Sequence, residues 1–127
     1  MPKMKQAADS EVSLAQLKDT VGAFCGEREW DQFHNAKDLC IGICTEASEL
    51  LQHFRFKSES EVERVMANPQ TRSEIAEEVA DVFFFLIRLA QRYDIDLSSA
   101  LKAKLKANAI RYPIETAKGS NKKYGEL

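Results

Sequence analysis

The stretch EIAEEVADVFFFLIRLAQR, residues 74–92, repeats apolar side chains at steps of four and three through Ile75, Val79, Val82, Leu86 and Leu89. That spacing is the seam of a helix in a bundle. Phe83, Phe84 and Ile87 widen the apolar surface beyond what one neighbouring helix covers. The helix is therefore expected to be central, with a second subunit completing its burial. Beside the seam runs a stripe of Glu74, Glu78, Asp81, Phe85 and Arg88, in which Glu78 and Asp81 lie three apart and share a helix face.

Working outward, the rest of the chain reads the same way. Glycine is scarce, no hairpin turn separates two strand-like runs, and apolar residues recur at helical spacing almost throughout, so an all-α fold is expected. Ser13 and Gln16 form a capping box opening a first helix, with Leu14, Leu17, Val21 and Phe24 apolar until Gly26. A second helix is expected from Ala36 to Phe54 or Phe56, apolar at Leu39, Ile43, Leu50 and Phe54. Ser58 and Glu61 cap a short helix that should stop at Asn68-Pro69, because the residue before proline is pushed out of helical geometry. Thr71 and Glu74 repeat the capping signal for the central helix, and Asp96 caps a last one that ends before Pro113. The architecture expected is four main helices plus a short one: a tail over 1–12, a helical domain over 13–113, and a mobile basic tail over 114–127.

Composition narrows the function classes. At 127 residues the chain holds one domain, and 18 Lys and Arg against 20 Asp and Glu give a charge of -2, which excludes a basic field for polymeric nucleic acid. The longest greasy run, VFFFLI, is too short to span a bilayer, and the first ten residues are polar, so a soluble, cytoplasmic protein is expected. Cys25, Cys40 and Cys44 lack zinc-type spacing and read as buried reduced thiols.

The second helix has its own acid pair. In CTEASELLQHF, residues 44–54, Glu46 and Glu49 project side by side, and His53 and Phe56 continue their stripe. If the two helices pack along their seams, four carboxylates converge at the margin of the core. Unpaired, they repel and lose hydration at a cost of several kcal/mol, which a divalent cation would offset. An all-oxygen set suits Mg²⁺ or Mn²⁺ rather than zinc, and the missing Glu-x-x-His counts against a di-iron bundle. Acid pairs three apart are also common on solvated faces, so both readings stand on spacing alone.

EASE followed by EEVADVFFFLIRLA resembles the E-x-x-E and E-x-x-D signature of the MazG-like, all-α nucleoside triphosphate pyrophosphohydrolases, most nearly the branch containing the dCTP pyrophosphatases. EREWDQFH, QHFRFK, KAKLKANAIRYP and KGSNKKYGEL extend the likeness in order over about residues 14–127. The resemblance implies Mg²⁺-dependent cleavage between the α and β phosphates, and metal ligands at Glu46, Glu49, Glu78 and Asp81. It also implies phosphate contacts from Lys104, Asn108, Arg111 and Tyr112, which match the family's K-x-x-x-N-x-x-R-Y segment. Trp30, Phe33, His34 and Phe56 are candidates to meet the base, since aromatic faces stack on any nucleobase. The dCTP-preferring relatives often carry a tryptophan where this chain has Phe56 and a histidine where it has Val21. The expected role is nucleotide-pool cleansing by a homo-oligomer, dimer or tetramer, acting on dCTP or modified dCTP. The alternatives are dUTP or broad NTP hydrolysis, or a non-catalytic bundle that binds nucleotides or a partner.

Overall fold

The computed structural model describes residues 8–127. After a 3-10 turn at Asp9–Glu11 come α1 (Leu14–Glu27), α2 (Ala36–Gln52), α3 (Glu59–Ala67), α4 (Pro69–Arg92), α5 (Leu97–Arg111) and the single-turn α6 (Ile114–Ala117). Further 3-10 turns lie at Asp31–Phe33 and Tyr124–Glu126, and there is no strand among the described residues. The expected all-α fold of four main helices and a short one forms, and the single turn of α6 is added inside the stretch 114–127 that was expected to be a tail. Part of the expected N-terminal tail, 1–12, lies outside the described residues.

The chain divides into a unit ending at Asp94 and a second, Ile95–Leu127. In the first, α4 packs most extensively against α2, then against α1 and α3, so the helix with the widest apolar surface is the central one. Its fully buried core is small: Cys25, Leu39, Ile75, Ile87 and Ala90, with the guanidinium-bearing Arg88 buried among them. Val79, Phe83 and Leu86 of α4 stay 40–50 % exposed, so part of the expected seam faces outward.

Local chemistry explains the helix boundaries. Ser13 and Ser58 each accept a hydrogen bond from the backbone N–H three residues on, with Gln16 and Glu61 closing the box. Asp96 caps α5 by accepting from Ser99 N. The start of α4 differs from the expectation at Thr71. Pro69 takes the first helical position, where a missing N–H costs nothing, and Asn68 caps by accepting from Gln70 N at 2.9 Å. Thr71 instead donates its hydroxyl proton back to Val65 O at 2.6 Å, tying α4 to the end of α3.

Two glycines mark close approaches to α4. A Cβ on Gly22 of α1 would stand 3.0 Å from the Gln91 amide nitrogen, and one on Gly42 of α2 would stand 2.6 Å from the Phe85 ring. The thiols depart from expectation: Cys25 is buried, but Cys40 and Cys44 are exposed, and all three are free.

Candidate functional site

Glu46 and Glu49 of α2 and Glu78 of α4 each present a carboxylate oxygen, and these three oxygens lie within 4.8 Å of one another. The packing of α2 on α4 brings these three together, where the paired spacings anticipated four. Glu46 and Glu78 are half-buried, and one oxygen of each, Oε2, is buried without any hydrogen-bond partner. Orphaned carboxylate oxygens are costly. Burial first, then Glu49 through hydrogen bonding and charge, then Asp81 and Glu78, push the Glu46 carboxyl above its usual range. Burial also raises Glu78, with Glu49 and Asp81 adding to it and His53 opposing. Asp81 is exposed beside the cluster, close enough to act on both by charge. Three carboxylates, two of them with an unpartnered buried oxygen, with Glu49 open to solvent, fit a hard divalent cation.

A cavity of about 490 Å³ adjoins the acids, lined by Phe24, Trp30, Ala80, Phe84 and Phe85 together with Glu46 and Asp81. Four aromatic side chains beside two carboxylates is an arrangement suited to a flat apolar ring joined to a charged group. Of the four residues expected to meet a base, only Trp30 lines this cavity.

Trp30 owes its place to the end of α1. Glu29 N donates to Gly26 O and Trp30 N to Cys25 O, both at 3.0 Å, which is a Schellman closure. Glu29 takes the left-handed position, φ 53°, without being glycine, at a cost of about 1 kcal/mol. The accompanying apolar contact is the edge-on packing of Trp30 against Phe24, ring centroids 5.7 Å apart.

The other candidates sit differently. His34 Nδ1 accepts from Arg88 Nε at 2.9 Å, and its ring meets Trp30 edge-on at 5.9 Å, so it backs the cavity wall rather than lining it. Burial and the Arg88 charge hold His34 below its usual pKa. Phe33 is 61 % exposed outside the cavity. Phe56 does not continue the Glu46–Glu49–His53 stripe, because α2 ends at Gln52 and the chain turns through a left-handed Phe56, φ 62°. Phe56 is 92 % exposed, with the Arg55 guanidinium 4.6 Å over its ring.

Sequence reasoning placed Phe24 and Phe84 in the core and Phe85 on the acid stripe, and did not assign them to a cavity. Apolar spacing alone does not distinguish a wall from a core. Nor did it mark Arg88 as buried.

In the second unit, Lys104, Asn108 and Arg111 share a face of α5 by spacing. The Arg111 guanidinium lies 5.1 Å over the Tyr124 ring, and Tyr112 meets the same ring edge-on at 6.0 Å. The end of α5 and the last residues of the chain thus form one aromatic-cationic cluster. Among the described residues, no helix is long and apolar enough to cross a membrane.

The likeness to known proteins agrees with this geometry. A model of the MazG-like family matches residues 41–127. The dCTP pyrophosphatase 1 proteins of rat and human are each 34 % identical over 117 residues, spanning 92 % of this chain and 69 % of theirs. The bovine protein of the same name is 33 % identical over 118 residues, spanning 93 % and 70 %. A crystal structure of a pyrophosphatase from Archaeoglobus fulgidus superposes with a TM-score of 0.74 at 29 % identity, covering 87 % of this chain and 99 % of that one. On this family match, these identities and this shared fold, the chain belongs to the MazG-like family and is a nucleoside triphosphate pyrophosphatase of its all-α type.

Proposed function

We propose that the enzyme hydrolyses deoxynucleoside triphosphates, dCTP or 5-substituted dCTP first, to the monophosphate and pyrophosphate with Mg²⁺, and so cleanses the cytoplasmic nucleotide pool. The observation that carries the reading is the aromatic cavity opening beside the carboxylate cluster. A base stacked among Phe24, Trp30, Phe84 and Phe85 would leave its phosphates near Glu46 and Asp81. The dCTP preference rests on the named relatives.

Glu46, Glu49 and Glu78, with Asp81, are the residues that would hold the cation. When bound there, Mg²⁺ (or Mn²⁺) supplies positive charge to phosphate oxygens and Lewis acidity toward the attacking water. The protein's own contribution is to fix four carboxylates on two packed helices and to offer aromatic faces on which a base can stack. Lys104, Asn108, Arg111 and Tyr112 are proposed to contact phosphate, on the strength of the family segment they match and the helix face they share. Residues 13–113 are proposed as the hydrolase domain, with tails on either side.

A broader specificity has one observation in its favour. Among the side chains lining the cavity, only the Trp30 indole N–H can donate to a base edge, and stacking surfaces accept any base. Ion-exchange analysis of products from a nucleotide panel, with and without Mg²⁺, separates the readings. Pyrophosphate and dCMP are expected, with metal dependence, and Glu49→Ala and Asp81→Ala should lose release while keeping their helical signal. If dCTP and its 5-substituted forms are the poorest substrates, the preference fails; if no nucleotide is cleaved, the enzymatic reading of this site fails with it.

The half-exposed Val79, Phe83 and Leu86 of α4 are proposed as a contact with a second subunit. Light scattering should give a dimer or tetramer, and a monomer at micromolar concentration would remove this part of the reading.

A further inference from the structure

Arg88 is the one charged residue buried in the described core, and the reaction as outlined gives it no task. Its guanidinium is divided among three partners. Nε donates to His34 Nδ1 at 2.9 Å, Nη1 to Gln91 Oε1 at 2.5 Å, and Nη2 to the Asp31 carboxylate. His34 and Asp31 stand 54 and 57 residues away in sequence, on the short connection between α1 and α2. Side chains two-thirds of the way down the chain are thus tied to a turn with little apolar anchorage of its own, since Phe33 is 61 % exposed.

The same end of α4 holds this connection twice more. Arg92 Nη2 reaches Asp31 O at 3.4 Å, and the Tyr93 hydroxyl oxygen accepts from Ala36 N at 2.7 Å. What the connection carries is Trp30, whose ring meets both His34 and Phe24. The Schellman closure fixes the Trp30 backbone, but with a non-glycine residue in its left-handed position it is a strained anchor. A guanidinium fork fixes direction as well as distance, which a single apolar contact does not.

We propose that Arg88, clasping Asp31, His34 and Gln91, is a positioning residue for nucleotide binding: it sets the angle of the Trp30 ring in the cavity wall. The proposal rests on the reading of that cavity as the base site. Arg88 is neither among the residues that line the cavity nor part of the carboxylate cluster, and its proposed effect reaches Trp30 through His34. His34 must stay unprotonated at Nδ1 to accept from Arg88, and its burial beside that charge favours the neutral ring.

Trp30 is the only tryptophan, so its fluorescence reports the wall directly. The test compares wild type, Arg88→Met, Asp31→Ala and Trp30→Ala. Arg88→Met keeps the volume; Asp31→Ala breaks one arm of the clasp at a half-exposed side chain and keeps the fold if Arg88→Met does not. In either clasp variant, Trp30 emission should shift to the red and acrylamide quenching rise. KM for dCTP should increase about tenfold with kcat within about twofold, the pattern of lost binding rather than lost chemistry. Emission and quenching unchanged in the folded variants would overturn the clasp. Altered emission with unchanged KM would keep the clasp and overturn its role in nucleotide binding, provided Trp30→Ala itself raises KM. If Trp30→Ala leaves KM unchanged, the base-site reading fails and positioning for binding fails with it, while the fluorescence still decides whether Arg88 holds Trp30.

Discussion

Replacing Glu78 with glutamine is expected to lower kcat by about a thousandfold, about 4 kcal/mol, and yet to raise the melting temperature of the metal-free protein at neutral pH. The two effects have one cause. Glu78 shares its surroundings with Glu46, Glu49 and Asp81, and keeps one oxygen buried with no donor. Without a cation, its negative charge is opposed by burial and by its neighbours, which is why its carboxyl titrates above the ordinary value of 4.5. Glutamine keeps the shape and removes the charge.

The sign follows from linkage. With a folded-state pKa raised above the unfolded one, the folded chain holds more protons than the unfolded chain between the two values. Stability therefore falls as pH rises through that window, and the penalty is fully present above the folded pKa. Glu46 is raised in the same direction and adds to it. Asp31 works the other way: its bond to Arg88 holds its carboxyl low, so its stabilisation is lost as pH falls. His34, held low mainly by burial, is likewise lost on acidification. Both are present in wild type and variant and cancel in the comparison. Thermal melts in EDTA should show Glu78→Gln above wild type at pH 7.5, with the gap closing towards pH 4. Mg²⁺ or Mn²⁺ should then raise the wild-type midpoint and leave the variant's nearly still, because only a chain that binds the ion is stabilised by it. A variant less stable than wild type at every pH without metal would refute the account of the cluster as a repulsive site completed by a cation.

The two acid pairs were legible from period, but spacing left a solvated face equally open, and only the packing of α2 on α4 brings Glu46, Glu49 and Glu78 together. Two carboxylates three apart share a face, and two such helices that pack by their apolar seams bring the pairs together. Helix starts were legible wherever a single residue type makes the cap, as at Ser13, Ser58 and Asp96. At α4 the expected cap was Thr71, but Asn68, read only as the stop of α3, caps the helix because Pro69 takes its first position. What stayed hidden depends on partners far along the chain. Arg88 sits on a stripe that periodicity assigns to a wet flank, and only the approach of Asp31 and His34 makes its burial tolerable. Phe24, Phe84 and Phe85 recur at helical spacing whether they fill a core or wall a cavity. Glu29 carries no mark of its left-handed backbone, where glycine would have announced the turn into Trp30.

Gly42→Ala is the second substitution with a large expected effect, and it tests the joint on which the cluster and the cavity both depend. A Cβ at position 42 would lie 2.6, 2.7 and 2.8 Å from the Cε1, Cδ1 and Cζ atoms of Phe85, closer than carbon atoms pack. The obstacle is a rigid ring, not a flexible chain end, and Phe84 already holds that ring edge-on at 5.3 Å. Either Phe85 swings into the cavity it lines, or α2 and α4 move apart. The first narrows the space for a base. The second spreads Glu46 and Glu49, one and two turns along α2, away from Glu78. Alanine improves helix propensity by about 1 kcal/mol, but overpacking costs about 1–3 kcal/mol, so net destabilisation is expected. The loss in kcat/KM for dCTP should exceed about tenfold, since displacements near 1 Å in a catalytic arrangement cost on that order or more. Gly26→Ala is the control: nothing lies within 4 Å of its added Cβ, so it should be neutral or slightly stabilising and fully active. If Gly42→Ala matches Gly26→Ala in melting temperature and kcat/KM, the close approach of α2 to Phe85 does not govern the site. If it falls as expected, adding Phe85→Leu should recover stability by making room for the methyl group. Activity should then recover with it only as far as the cavity can do without one of its four aromatic walls.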